Sequence, residues 1–141
     1  MRILTHLKTE TAKYAAEELL KYIKLMTKCA VMPEIEYTED VPPLSEDDMI
    51  LAHLDDLSLD ESDLFDPFIE DIIDIDIKNC GGYIAGSNDR SILMGVYRYC
   101  VSAGCRFIRP GENGEYIPYC DLSSHSYKYR HKADWRNDNV P

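Results

Sequence analysis

A chain of 141 residues with 45% hydrophobic content is long enough to bury one core and short enough to favour a single unit. Its formal net charge is −11, and seventeen of its 26 acidic residues fall between Glu34 and Asp76, a stretch without Lys or Arg, so a phosphate backbone is an unfavourable partner. No apolar run nears the ~20 residues of a membrane helix, the opening MRILTHLKTE is too soon charged for a leader, and the five cysteines lack paired spacing. The expectation is a reduced, cytoplasmic chain that binds neither nucleic acid nor membrane.

In chain order, RILTHL reads as a short apolar strand. Thr9 or Thr11 then caps a helix, with Glu10 well placed in its first turn. Ala12, Ala15, Ala16, Leu19, Ile23 and Met26 recur at helical steps and form one face, while Lys13, Glu17, Lys21 and Lys24 lie largely elsewhere. EIEYT is a strand, Pro42 and Pro43 interrupt the chain, and MILAHL is a second apolar strand. The acidic middle, EDVPPLSEDD and DDLSLDESDLFDP, reads as a solvated face with a mobile loop. Its DLSLDESD run lacks the central Gly and closing Glu of a calcium-binding EF-hand loop.

In DIIDIDIKN, Ile73, Ile75 and Ile77 alternate with Asp74, Asp76 and Lys78, the pattern of an antiparallel strand with one buried face. NCGG turns the chain and YIAG returns as the partner. Ser87 or Asn88 caps a second helix with Ile92, Val96 and Cys100 in its stripe, and Gly104 ends it. Gly95, in mid-helix, lets that helix lie close on a sheet. CRFIR and YIP are short strands around a PGENGE turn. The fold expected is α+β: a two-layer sandwich with a mixed, mostly antiparallel sheet and both helices on one face.

The turn from Gly82 to Asp89 resembles a phosphate cradle only superficially. The Walker lysine is replaced by Ser-Asn-Asp, G-x-G-x-x-G is not met, and no parallel strand pair is expected to frame the turn. Cys105 beside Arg106 reads as a small core residue rather than a nucleophile. Cys100, Cys105, Cys120, His125 and His131 have borderline spacing for zinc, but Cys100 belongs to the apolar stripe, so no metal or cofactor is assigned.

The segment Asp71 to Pro118 resembles the non-catalytic N-terminal domain of exo-acting glycoside hydrolases of the alpha-glucuronidase and beta-N-acetylhexosaminidase type. The resemblance is carried by Gly86, Gly95-Val96-Tyr97, Gly104-Cys105-Arg106 and Pro110-Gly111, with Ala15-Ala16-Glu17-Glu18-Leu19 similar to the family's first helix. SHSYKYRHKADW, from Ser124, resembles the lead into the first strand of a catalytic (β/α)8 barrel. The long acidic segment from Asp55 to Asp66, and Cys100 in place of a larger aliphatic residue, depart from the pattern.

The resemblance implies an accessory domain over residues 1–123 and a linker over 124–141, with a barrel as partner and no catalytic residues of its own. Tyr127, Tyr129 and Trp135, set among basic residues, are the candidates for a barrel interface or a saccharide contact. A free-standing binding module with the same fold is the alternative.

Overall fold

The computed structural model describes residues 1–107 and 114–134. The elements run β1 (Arg2–Thr5), α1 (Glu10–Met26), β2 (Glu34–Tyr37), β3 (Asp48–His53), β4 (Glu70–Lys78), β5 (Gly81–Gly86), α2 (Asp89–Ser102), β6 (Arg106–Phe107), β7 (Glu115–Tyr116) and β8 (Ser126–Asp134). β2-β1-β3-β5-β4-β8 form a six-stranded sheet, and β6 and β7 form a separate two-stranded one. The α+β class and mixed sheet are as expected. Only the β5-β4-β8 part is antiparallel, however, because β1 returns to β2 through α1 and the chain from β3 reaches β5 by way of β4.

Both helices cover one face. Thr9 caps α1 by accepting from the Ala12 amide, and Asn88 rather than Ser87 caps α2 by accepting from the Ser91 amide. Ala15, Ala16, Leu19, Ile23 and Met26 of α1 and Ile92, Val96 and Cys100 of α2 pack on Ile3, Met49, Leu51, Ile73, Ile75, Ile77 and Ile84. Each large aliphatic side chain buried here contributes about 1.5–3 kcal/mol of transfer free energy. Tyr22, Tyr97 and Phe107 close one end with edge-to-face contacts.

The opposite face is also covered, in part by the segment read as a solvated acidic loop. Its Leu57, Leu59 and Leu64 lie on Leu54, Ile72 and Ala85. Its leucines hold it on the sheet, while its acids Asp55, Asp60 and Glu61 are exposed as the sequence reading expects; the acids without solvent exposure are Glu70 and Asp71, at the start of β4.

The stretch assigned to a linker contributes β8, paired with β4 from Lys78↔Ser126 to Glu70↔Asp134. Its period is two. Tyr127 and Tyr129 turn to the helical side, while Lys128 and Arg130 stand opposite Asp76 and Asp74. Arg130 reaches Asp74 at 2.7 Å.

Candidate functional site

At the C-terminal ends of β1 and β3 the chain leaves in opposite directions. After β1 it enters α1 on the helical face, and after β3 it enters a tight turn at Asp55–Leu57 and the leucine-bearing loop of the other face. Adjacent parallel strands whose continuations part in this way leave a crevice at their ends.

His6, His53, Asp55, Asp56 and Asp89 gather there. His53 Nε2 lies 2.7 Å from Asp89 Oδ1, and Thr9 Oγ1 donates to Asp89 Oδ2 at 2.6 Å. Asp56 Oδ2 accepts the His53 amide at 2.9 Å, and it sits 3.4 Å from His6 Nε2 and 4.0 Å from His53 Nδ1. One coordinating atom from each of His53, Asp55 and Asp56 lies within 4.8 Å of the other two. His6 Nδ1 is buried and has no hydrogen-bond partner among the described residues.

The start of α2 holds a second polar network. Asp71 Oδ1 accepts from Asn88, Arg90 Nε and Ser91 Oγ at 3.1, 3.0 and 2.8 Å. Glu70 accepts the Phe65 amide at 2.7 Å, and Ser87 Oγ donates to the Glu70 carbonyl at 2.9 Å. The turn that opens α2 is framed by a parallel pair after all, β3 with β5. At its helix N-terminus the side chains of Asn88, Arg90 and Ser91 hold the Asp71 carboxylate, and Asp89 supplies the acid of the first turn.

The residues of the sequence motif serve packing. A Cβ at Gly86 would come within 2.6 Å of Ser91 Cβ, and one at Gly95 within 2.7 Å of Ile84 Cγ2. Gly104, at φ +110°, follows the last turn of α2 and lies against Pro118. The Tyr97 hydroxyl donates to Glu18 at 3.1 Å, and Arg106 donates to the Cys105 carbonyl at 2.7 Å. Pro110, Gly111 and Trp135 lie outside the described residues.

Tyr127 and Tyr129 are half-buried and stacked at 5.6 Å, with the Arg98 guanidinium 4.7 Å above Tyr129. Cys100 and Cys105 are buried core residues, and burial pushes the Cys105 thiol up to about 11, against the opposing pull of Arg106. His125 Nε2 meets Ser102 Oγ at 3.0 Å. Ser102 donates its own proton to the Tyr99 carbonyl, so His125 is the donor in that bond.

The chain gives no match to any protein-family model and no significant match to a curated protein. No helix among the described residues is long and apolar enough to cross a membrane.

Sequence reading missed the histidine–aspartate crevice. Its signal was a near repeat, Ile-Leu-x-His-Leu, at residues 3–7 and again at 50–54, which puts a histidine just past the end of β1 and another at the end of β3. The parallel pairing of β1 with β3 turns that repeat into proximity.

Proposed function

We propose that this chain is the non-catalytic accessory domain of a carbohydrate-active hydrolase, and that it works by packing against a (β/α)8 catalytic domain. The observation that carries the reading is the seating of α2. The glycines that bear the resemblance, at positions 86, 95 and 104, are those that bring this helix down on β4 and β5 and then release it. A motif used in this way marks a scaffold, and function is conferred by what the scaffold presents.

What it presents includes Phe65 and Phe68, at 80% and 84% exposure, on the loop that leads into β4. Aromatic side chains so open to water suit a docking surface. Tyr127 and Tyr129, by contrast, are half-covered under α2 and offer the partner only one edge.

The test is co-expression with a (β/α)8 hydrolase domain encoded beside it, followed by gel filtration and assay on aryl glucuronides and N-acetylglucosaminides. A one-to-one complex, with turnover confined to the barrel, is expected. Separate elution with an unchanged melting temperature of the barrel would overturn the reading, as would turnover by this chain alone. Heat on titrating the isolated chain with xylo-oligosaccharides or glucuronides would instead mark a free-standing sugar-binding module.

A further inference from the structure

We propose that the crevice at the ends of β1 and β3 binds one zinc-like divalent transition-metal ion, with His53 Nδ1, Asp55 and Asp56 as its protein ligands. This inference rests on side-chain geometry and is independent of the hydrolase reading.

A carboxylate only accepts hydrogen bonds, so the 2.7 Å contact between His53 Nε2 and Asp89 places the imidazole proton on Nε2. With Nε2 committed to Asp89, Nδ1, 4.0 Å from Asp56 Oδ2, is the ring atom left to coordinate a metal.

Asp89 is itself held, since Thr9 Oγ1 donates to its other oxygen at 2.6 Å. An outer carboxylate that fixes the tautomer and ring orientation of a histidine is the usual second layer of a metal centre. Asp56 is held too, by the His53 amide at 2.9 Å.

The spacing suits a small ion. With metal bonds of about 2.0–2.1 Å, tetrahedral ligand atoms stand about 3.3–3.5 Å apart. The ligand atoms of His53, Asp55 and Asp56 already lie within 4.8 Å of one another and need only contract to that spacing. Imidazole with carboxylate favours zinc or cobalt over calcium or magnesium, which take oxygen ligands.

The experiment uses the full chain, stripped with chelator and titrated with zinc chloride by calorimetry, with the accessible cysteines alkylated in a parallel sample. Saturable one-to-one binding that survives alkylation is expected. His53→Gln should weaken it at least 100-fold, and Asp89→Asn, which leaves every direct ligand in place, about 10- to 100-fold. Circular dichroism confirms that each variant is folded. In the wild-type protein, imidazole NMR should show zinc on Nδ1 of His53 with the proton kept on Nε2. Linear, unsaturable heat, binding lost on alkylation, or unchanged affinity in folded His53→Gln would each overturn the proposal. So would a His53 ring found doubly protonated in the presence of saturating zinc.

Discussion

The guanidinium of Arg90, on the first turn of α2, bonds both oxygens of Asp71, a carboxylate with no solvent exposure at the start of β4. The pair ties helix to sheet where the chain has just turned through Gly86. A buried carboxylate is tolerable only while its partners stay, and here Asn88 and Ser91 are among them.

Arg90→Ala removes charge-assisted bonds and should destabilise the fold by about 2 kcal/mol. Asp71→Ala removes the acceptor shared by Asn88, Arg90 and Ser91 and should cost about 3 kcal/mol. Urea unfolding of both and of the double variant is the check. A shared network predicts a double loss well short of the sum.

Gly95 tests the seating of α2. Alanine would gain about 1 kcal/mol of helix propensity, yet its Cβ would lie 2.7 Å from Ile84 Cγ2 and 3.3 Å from Ile73 Cγ2. Those methyl groups sit next to strand backbone and yield little, so overpacking of about 1–3 kcal/mol wins. Gly95→Ala should lower the urea midpoint, whereas a raised midpoint would show that α2 is free to lift.

Thiol chemistry should separate the cysteines. Cys29 is exposed and should react at once with a disulfide reagent at neutral pH. Burial raises Cys100 well above the usual thiol range and Cys105 to about 11, so both should stay silent until the chain unfolds. Rapid modification of Cys105 in folded protein would contradict the packing of α2 against β6.

Acid should weaken the junction of β1 with β3. Hydrogen bonding from Arg2 holds the Asp48 carboxyl below its ordinary value. A lowered folded pKa contributes stability above the unfolded value, about 3.9, and that contribution disappears as pH falls through the folded value. Asp48→Asn should therefore be less stable than wild type at pH 7, with the gap narrowing as pH falls below the unfolded value of about 3.9. A gap independent of pH would assign the effect to packing.

Docking, if it uses the acidic loop, should depend on Phe65 and Phe68. Their joint replacement by serine should leave the melting temperature of the isolated chain nearly unchanged, because both are open to water. Association with a barrel, measured by calorimetry, should weaken at least tenfold.

Much of the fold was legible because its signals are local. α1 and α2 announce themselves by apolar steps of three and four, and β4 by Ile73, Ile75 and Ile77 in alternation. β8 alternates just as strictly, but its inward residues are tyrosine and histidine, and its outward charges gain meaning only opposite Asp74 and Asp76. The crevice was hidden for a related reason. His6, His53 and Asp89 come from three elements, and only strand pairing brings them together. Glu70 and Asp71 looked like solvated acids because composition counts charges without showing what covers them.

β4 is bonded along both edges, to β5 from Ile73 to Lys78 and to β8 throughout. In heavy water its amide hydrogens should be the last to be replaced, outlasting those of the flanking strand β2. The spine of the molecule is then a strand that begins with two buried acids, and the least yielding part of this protein lies in its most negatively charged half.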